Sequence, residues 1–151
     1  MRAVIQRVSS ASVSIDGATY ASIGKGYVIL LGIRKGDTVR DADFLASKCV
    51  SLRIMGDKEG KMNLSLGDAG GSAIVVSQFT LYGDAQRGNR PSFTDAAAPT
   101  EAEPLYERFV DRMRAGLGTE RVGTGVFGAM MEVKIVNDGP VTIVIESKAS
   151  E

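Results

Sequence analysis

The chain contains no histidine and only one cysteine. Without histidine, the Ser-His-Asp and Cys-His nucleophile arrangements are excluded, together with the commonest zinc ligands. A hydrolase built from these residues must move its protons another way. The single cysteine, Cys49, rules out an internal disulfide and every CxxC metal or redox motif. It falls within an apolar helical pattern and reads as a core thiol. Net charge is lacking as well. The 18 basic and 18 acidic residues cancel, so no global field draws in nucleic acid and any such contact must rest on a local patch. No apolar run is long enough to span a bilayer. Met1-Arg2-Ala3-Val4-Ile5-Gln6-Arg7 places polar residues where a secretory peptide needs its apolar stretch, and no repeat or low-complexity tract is visible. These absences set the expectations of a cytoplasmic location, no membrane partner and neither metal nor other cofactor.

What is present fits one domain over residues 1–151, long enough to bury roughly two-thirds of its unfolded surface. Its 44% hydrophobic and 24% charged fractions are ordinary for a globular protein. The pattern over Arg2 to Ile15 predicts two strand segments broken near Ser9-Ser10. Asp16-Gly17 signals a tight hairpin into Thr19 to Ile23, and Tyr27 to Ile33 reads as a core strand. Thr38 and Asp41 are spaced like a capping box before a helix with apolar Val39, Ala42, Leu45, Ala46, Cys49 and Val50. Leu52 to Met55 and Met62 to Leu66 suggest a short strand pair. A second helix is expected from Thr100, with Thr100 and Glu103 as its capping box and Leu105, Phe109, Val110, Met113 and Leu117 as its apolar stripe. Gly123 to Gly128 is rich in glycine but lacks the strand-then-helix setting of a phosphate loop. Met131 to Val136 and Val141 to Ile145 read as two more strands, joined by Asn137-Asp138-Gly139-Pro140.

The most informative stretch is Ser72 to Asp84. Ala73, Ile74, Val75 and Val76 form an unbroken apolar run of the kind found in a strand buried on both faces. It leads directly into Ser77, Gln78 and Thr80, with Leu81 and Tyr82 prolonging the extended pattern. Polar groups at the end of a central strand mark a candidate site; the alternative is a strand whose alternate residues face water. The long segment after Gly83 carries Arg87, Arg90, Pro91 and Phe93. Guanidinium groups suit phosphates and an aromatic ring suits a base, while a solvated loop with one anchoring Phe remains the other reading. Arg7, a cation among apolar neighbours, reads by itself as a snorkelling edge residue.

Three stretches taken in order, Ser77-Gln78-Phe79-Thr80-Leu81, Arg90-Pro91-Ser92-Phe93 and Asn137-Asp138-Gly139-Pro140-Val141-Thr142, resemble the D-aminoacyl-tRNA deacylase family. The likeness extends from Met1-Arg2-Ala3-Val4 through Lys61-Met62-Asn63-Leu64-Ser65 to the last strand. It implies an α/β domain, mainly antiparallel or mixed sheet in a barrel-like arrangement with two main helices, working as a homodimer with sites at the subunit interface. It further implies that Ser77, Gln78, Phe79, Thr80 and Leu81 line the pocket for the terminal adenosine and its ester, with Phe127, Gly128 and Met131 on the adenosine side. Gly139-Pro140 resembles the family's Gly-cisPro element, which reaches into the partner's pocket, and Arg7 matches the arginine that holds it. Met130 stands where the family often has a polar or acidic residue.

An aminoacyl ester is already activated, so its hydrolysis needs mainly orientation and donors for the oxyanion, and no histidine. Thr80 offers a backbone N–H and a hydroxyl, but no base lies near it in sequence to activate that hydroxyl. The resemblance implies instead that the tRNA's terminal 2′-hydroxyl assists. Chirality would be sorted by the carbonyls of Gly139 and Pro140, which exclude an L side chain and let glycine pass. The partners so implied are the aminoacylated 3′ end of tRNA and a second copy of the chain, with no DNA. Two other readings stay open: a non-catalytic dimer binding RNA ends or nucleotides, and a general ester hydrolase with a Thr nucleophile.

Overall fold

A computed structural model describes residues 1–147. Alternating apolar residues make Arg2–Ile15 a single strand, β1, rather than two. It runs antiparallel to β2 (Ala18–Ile23) and β3 (Gly26–Gly32), pairing with β3 over 2–8 and with β2 over 11–15. The predicted break at Ser9-Ser10 is thus a change of partner within one strand. Ala3 and Ile5 belong to one core, and Val8, Ala11 and Val13 to a second. The Asp16-Gly17 hairpin forms as the sequence indicates, with φ of 51° and 79° at its two corner residues, the positive values that a type I′ turn requires.

Helix α1 (Val39–Ser51) follows, and its first turn is capped by the Asp41 carboxylate, which accepts from the Thr38 N–H at 2.8 Å. Ala42, Leu45, Ala46 and Cys49 are buried, whereas Val39 is exposed. Burial pushes the Cys49 thiol up to about 12, so it stays protonated and inert. The predicted pair after this helix is shorter than expected: only β4 (Met55–Gly56) and β5 (Met62–Leu64) pair.

The apolar run becomes β6 (Ser72–Ser77), whose Ala73, Ile74, Val75 and Val76 are all buried. It lies parallel to β3 on one side. Helix α2 spans Pro99–Leu117 and starts from Ala98, not from a Thr100 capping box. Pro99 takes the first helical position, where the N–H it lacks would have had no partner. Its buried face is Ala102, Tyr106, Phe109, Val110 and Met113. The helices are clamped by Arg108, whose Nε and Nη2 donate to the Asp43 carboxylate at 2.8 and 3.0 Å. Strand β7 (Val122–Thr124) flanks β6 in parallel.

The last element, β8, is one strand over Glu132–Glu146, where the sequence suggested two. Both of its halves pair with β1, and register shifts opposite Arg7 and Ser9 accommodate Asp138 to Pro140 as a bulge. The Gly139–Pro140 bond is cis, as the family likeness implies, and it makes no hairpin. The sheet runs β2-β1-β3-β6-β7 with β8 also on β1, and β2 returns against β6 and β7, so the mixed sheet curls toward a barrel. The helices cover one face, over Ile5, Tyr27, Ile29 and Val75. Val8, Val13, Val28, Ile74 and Val76 fill the other, beneath Met131, Val133 and Ile135.

Candidate active site

Strand β6 brings Ser77 to the edge of the core, and there the extended backbone stops. Gln78 turns the chain (φ −142°, ψ 81°) into a 3₁₀ turn over Phe79–Tyr82, so Leu81 and Tyr82 do not prolong the strand. The turn is tied down on three sides. The Gln78 N–H donates to the Leu31 carbonyl at 2.8 Å, the Leu81 N–H to Gln78 at 3.2 Å, and the Gly83 N–H to Thr80 at 2.9 Å. Arg2 donates through Nη1 to the Leu81 carbonyl at 2.8 Å and lays its guanidinium 4.9 Å from the centre of the Tyr82 ring. The Gln78 side-chain amide donates to the Thr80 hydroxyl oxygen. The backbone N–H groups of Phe79 and Thr80 donate to no backbone carbonyl among the described residues.

This turn forms one wall of a cavity of ≈ 720 Å³. Ser77, Gln78, Phe79 and Thr80 meet Phe127, Gly128 and Met131 across it, over a floor of Leu31, Ile33, Val76 and Ala102. The Phe93 ring and Ala96, Ala97 and Pro99 complete the lining along with Ala129, Met130 and Val133, so the wall holds no titratable side chain. Met130 is 92% exposed at its rim. Such a cavity can hold a ligand by apolar contact and hydrogen bonds, but it cannot supply an acid or a base from its own side chains.

Tyr106, which nothing in the sequence distinguishes from the rest of a helical core stripe, packs behind Phe127. Its hydroxyl donates to the Val75 carbonyl at 2.7 Å and its ring packs against Phe127 with centroids 5.8 Å apart. Burial pushes its hydroxyl up to about 12, so it remains a donor across the working pH range.

Four residues singled out with these lie elsewhere. Leu81 contributes its carbonyl to the Arg2 clamp and is absent from the cavity wall. Gly139 and Pro140 are exposed at the β8 bulge and line no part of the cavity. Arg7 lies beneath them. With a side chain only 15% exposed, it is not a snorkelling edge residue: Nη1 donates to the Ile54 carbonyl at 2.8 Å, and Nε is 3.2 Å from an Asp138 carboxylate oxygen. The Asn137 amide holds the base of the bulge, donating to the carbonyls of Arg7 at 2.9 Å and Val141 at 3.1 Å. Gly139 has a φ of 120°, and a Cβ there would come within 2.8 Å of the Val141 side chain and 3.2 Å of Arg7 Nη2. Among the described residues no group of three or more His, Cys, Asp or Glu side chains is placed to hold a metal ion. Nor is any helix among them long and apolar enough to cross a membrane.

Comparison with known proteins gives likenesses of sequence and of fold. The model of a family described as D-Tyr-tRNA(Tyr) deacylase matches residues 4–146. A protein of Fervidobacterium nodosum named D-aminoacyl-tRNA deacylase is 55% identical, over 98% of this chain and 98% of its own length. One of the same name from Roseiflexus castenholzii is 57% identical, over 97% of this chain and 92% of its own. Among solved structures, one described as c-Myc DNA Unwinding Element Binding Protein has a TM-score of 0.94 at 41% identity, covering 99% of this chain and 100% of that one. A second, described as a probable eukaryotic D-amino acid tRNA deacylase, has a TM-score of 0.82 at 17% identity over 96% of this chain and 98% of that one, a likeness of fold.

Proposed function

This chain belongs to the D-Tyr-tRNA(Tyr) deacylase family, and on that premise we propose how it hydrolyses the ester bond of D-aminoacyl-tRNA to free D-amino acid and tRNA. It is an enzyme, a carboxylic ester hydrolase. The observation that carries the mechanism is the clamped turn at Ser77–Thr80: it sets two backbone N–H groups that serve no backbone carbonyl in the wall of a cavity with no titratable side chain. Donors fixed before the reaction are the main requirement for an activated ester, and one such donor contributes about 10²–10³ in rate.

The terminal adenosine occupies the Phe127, Gly128 and Met131 side of the cavity, and its ester carbonyl lies against the turn. Water attacks the carbonyl carbon while the N–H groups of Phe79 and Thr80 hold the developing oxyanion. The neighbouring ribose 2′-hydroxyl relays the proton from the water to the departing ribose oxygen, and the acyl C–O bond breaks. Gln78 and Ser77 keep the turn in place, and the Thr80 hydroxyl, held by the Gln78 amide, is not the nucleophile.

Selection for the D form falls to Gly139 and Pro140 of a second copy. Their exposure at the bulge, with Arg7 and Asn137 fixing the backbone beneath them, suits a corner that projects away from its own chain. Its carbonyls accept the substrate's ammonium group and leave no room for an L side chain. Broad tolerance of D side chains follows, and glycyl-tRNA is also cleaved. The working unit is a homodimer with the aminoacylated 3′ end of tRNA as its partner, in the cytoplasm where that tRNA is used.

The test is deacylation of matched D- and L-tyrosyl-tRNA by the purified protein. Release of D-tyrosine with the L form spared is the expected result. Tight binding without turnover would return the chain to the class of RNA-end binders, and loss of all activity in Thr80→Ala would favour a Thr nucleophile.

A further inference from the structure

Two aromatic rings stand partly bare at the mouth of the cavity. Phe79 is 59% and Phe93 40% exposed, and they meet edge to face with centroids 5.3 Å apart at an interplanar angle of 68°. Phe93 is held by the backbone beneath it: a Cβ on Gly83 would fall 2.8 Å from its ring and 3.0 Å from the Thr80 carbonyl. Glycine there lets the ring lie directly on the end of the catalytic turn. The segment that carries Phe93 is pinned at its base by paired bonds, Asp84 N–H to Ser92 at 2.7 Å and Ser92 N–H to Asp84 at 2.8 Å. Beyond that pair, residues 85–91 are all exposed. They include Arg87 and Arg90, with no acidic residue between Asp84 and Asp95, and neither arginine forms an ion pair among the described residues.

An aromatic platform beside a pinned, purely cationic loop is how proteins hold single-stranded nucleic acid: rings stack on bases and guanidinium groups take the phosphates. We infer that Phe79 and Phe93 stack the unpaired nucleotide 5′ to the terminal adenosine of tRNA, while Arg87 and Arg90 neutralise the phosphates beside it. The inference rests on the deacylase reading above, which places the terminal adenosine inside the cavity and obliges the strand to leave past these rings. The sign of the loop's charge matches that occupant, in a chain whose overall charge is zero. Burial of the rings by a second copy of the chain is the competing occupant.

The experiment compares kcat/KM for D-tyrosyl-tRNA with that for the D-tyrosyl ester of adenosine, which has no preceding nucleotide. In the parent protein the longer substrate should be preferred. Phe93→Ala should lower the tRNA-to-adenosine ratio about tenfold, mainly through KM, as expected when one stacked base loses its ring. Gly83→Ala, whose added methyl presses on both the Phe93 ring and the Thr80 carbonyl, should cost rate on both substrates and lower the ratio in the same direction. Replacing Arg87 and Arg90 together with Ala should weaken the salt dependence of KM for tRNA, by about 0.7 in log-log slope for each phosphate no longer neutralised. Equal losses on both substrates, or an unchanged ratio in all three variants, would overturn the stacking site while leaving the hydrolase intact. An unchanged ratio with a changed oligomeric state in Phe93→Ala would overturn it in favour of the second copy. A parent protein inactive on both substrates would overturn the hydrolase reading and this inference with it.

Discussion

The turn after β6 and the bulge in β8 use similar means for opposite ends. The turn ends a strand and the bulge interrupts one, and both are fixed by an arginine reaching from β1: Arg2 to the Leu81 carbonyl, Arg7 to Ile54 and Asp138. The turn looks inward, on a cavity of ≈ 720 Å³ with no titratable group in its wall. The bulge looks outward, with Gly139 and Pro140 exposed above a charged, hydrogen-bonded base. One chain therefore carries a rigid receptacle and a rigid projection that do not meet each other. Part-buried hydrogen bonds and a largely buried arginine hold the exposed corner in place, which suits the exchange between copies proposed above.

On the reading proposed above, rate belongs to the turn together with the substrate, while the bulge seats the substrate's ammonium group and sets discrimination. Removing the 2′-hydroxyl of the terminal adenosine should produce the largest effect, a fall in kcat of at least about hundredfold, because the cavity wall holds no acid or base side chain to take over the proton transfer. Persistent turnover of a substrate ending in 2′-deoxyadenosine would move the chemistry back onto the protein. Gly139→Ala should act differently. The added methyl meets Val141 and Arg7 Nη2 at 2.8 and 3.2 Å, at a φ of 120° that favours glycine, so the corner must shift. The D-over-L ratio should then drop by about tenfold or more, the effect of moving one well-placed steric barrier; an unchanged ratio would detach selectivity from the bulge. Tyr106→Phe removes the hydroxyl bonded to Val75 and should lower stability by about 1 kcal/mol, read by denaturant unfolding, while sparing the D-over-L ratio. The smallest effect belongs to Asp43, whose carboxyl is held below its usual range chiefly by the hydrogen bond from Arg108. A depressed folded-state value means that its stabilisation is present above the unfolded carboxylate value of about 3.9 and fades as acid passes below it. Asp43→Asn should therefore slightly lower the melting temperature at neutral pH and make no difference in strong acid.

Much of the frame was legible in the sequence, for reasons that particular residues supply. Four consecutive apolar residues at Ala73–Val76 required a strand covered on both faces, and β6 lies between β3 and β7. Asp16-Gly17 and the Thr38–Asp41 spacing are local signals, satisfied within a few residues. Tertiary context decided the rest. The single β8 could not be told from two strands because the polar Asn137 to Pro140 looks like a turn until it bulges opposite β1. The 3₁₀ turn at Phe79–Tyr82 was hidden by residues that favour extension but are bent by bonds to Leu31 and Arg2. Helix α2 began at Pro99 because the proline's geometry outweighed a plausible capping pair. At the site, absent histidine already excluded the commonest catalytic base, and the cavity wall holds no titratable side chain. The grouping of Phe127, Gly128 and Met131 with Ser77–Thr80 had no local signal and came only through family likeness. Tyr106 had none at all, since a buried tyrosine on a helix stripe looks like any other core aromatic.

Mixing two disabled variants probes the exchange of receptacle and projection most directly. Phe127→Ala strips the adenosine side of the receptacle and leaves the bulge intact; Gly139→Val does the reverse. Each alone should be nearly inactive on D-tyrosyl-tRNA at concentrations below KM, Gly139→Val because the displaced corner no longer seats the substrate's ammonium group. Unfolded and refolded together in equal amounts they should recover about a quarter of the parent activity, since half of randomly paired dimers are mixed and one of their two sites is whole. Activity no greater than the sum of the separate variants would contradict a site assembled from two copies.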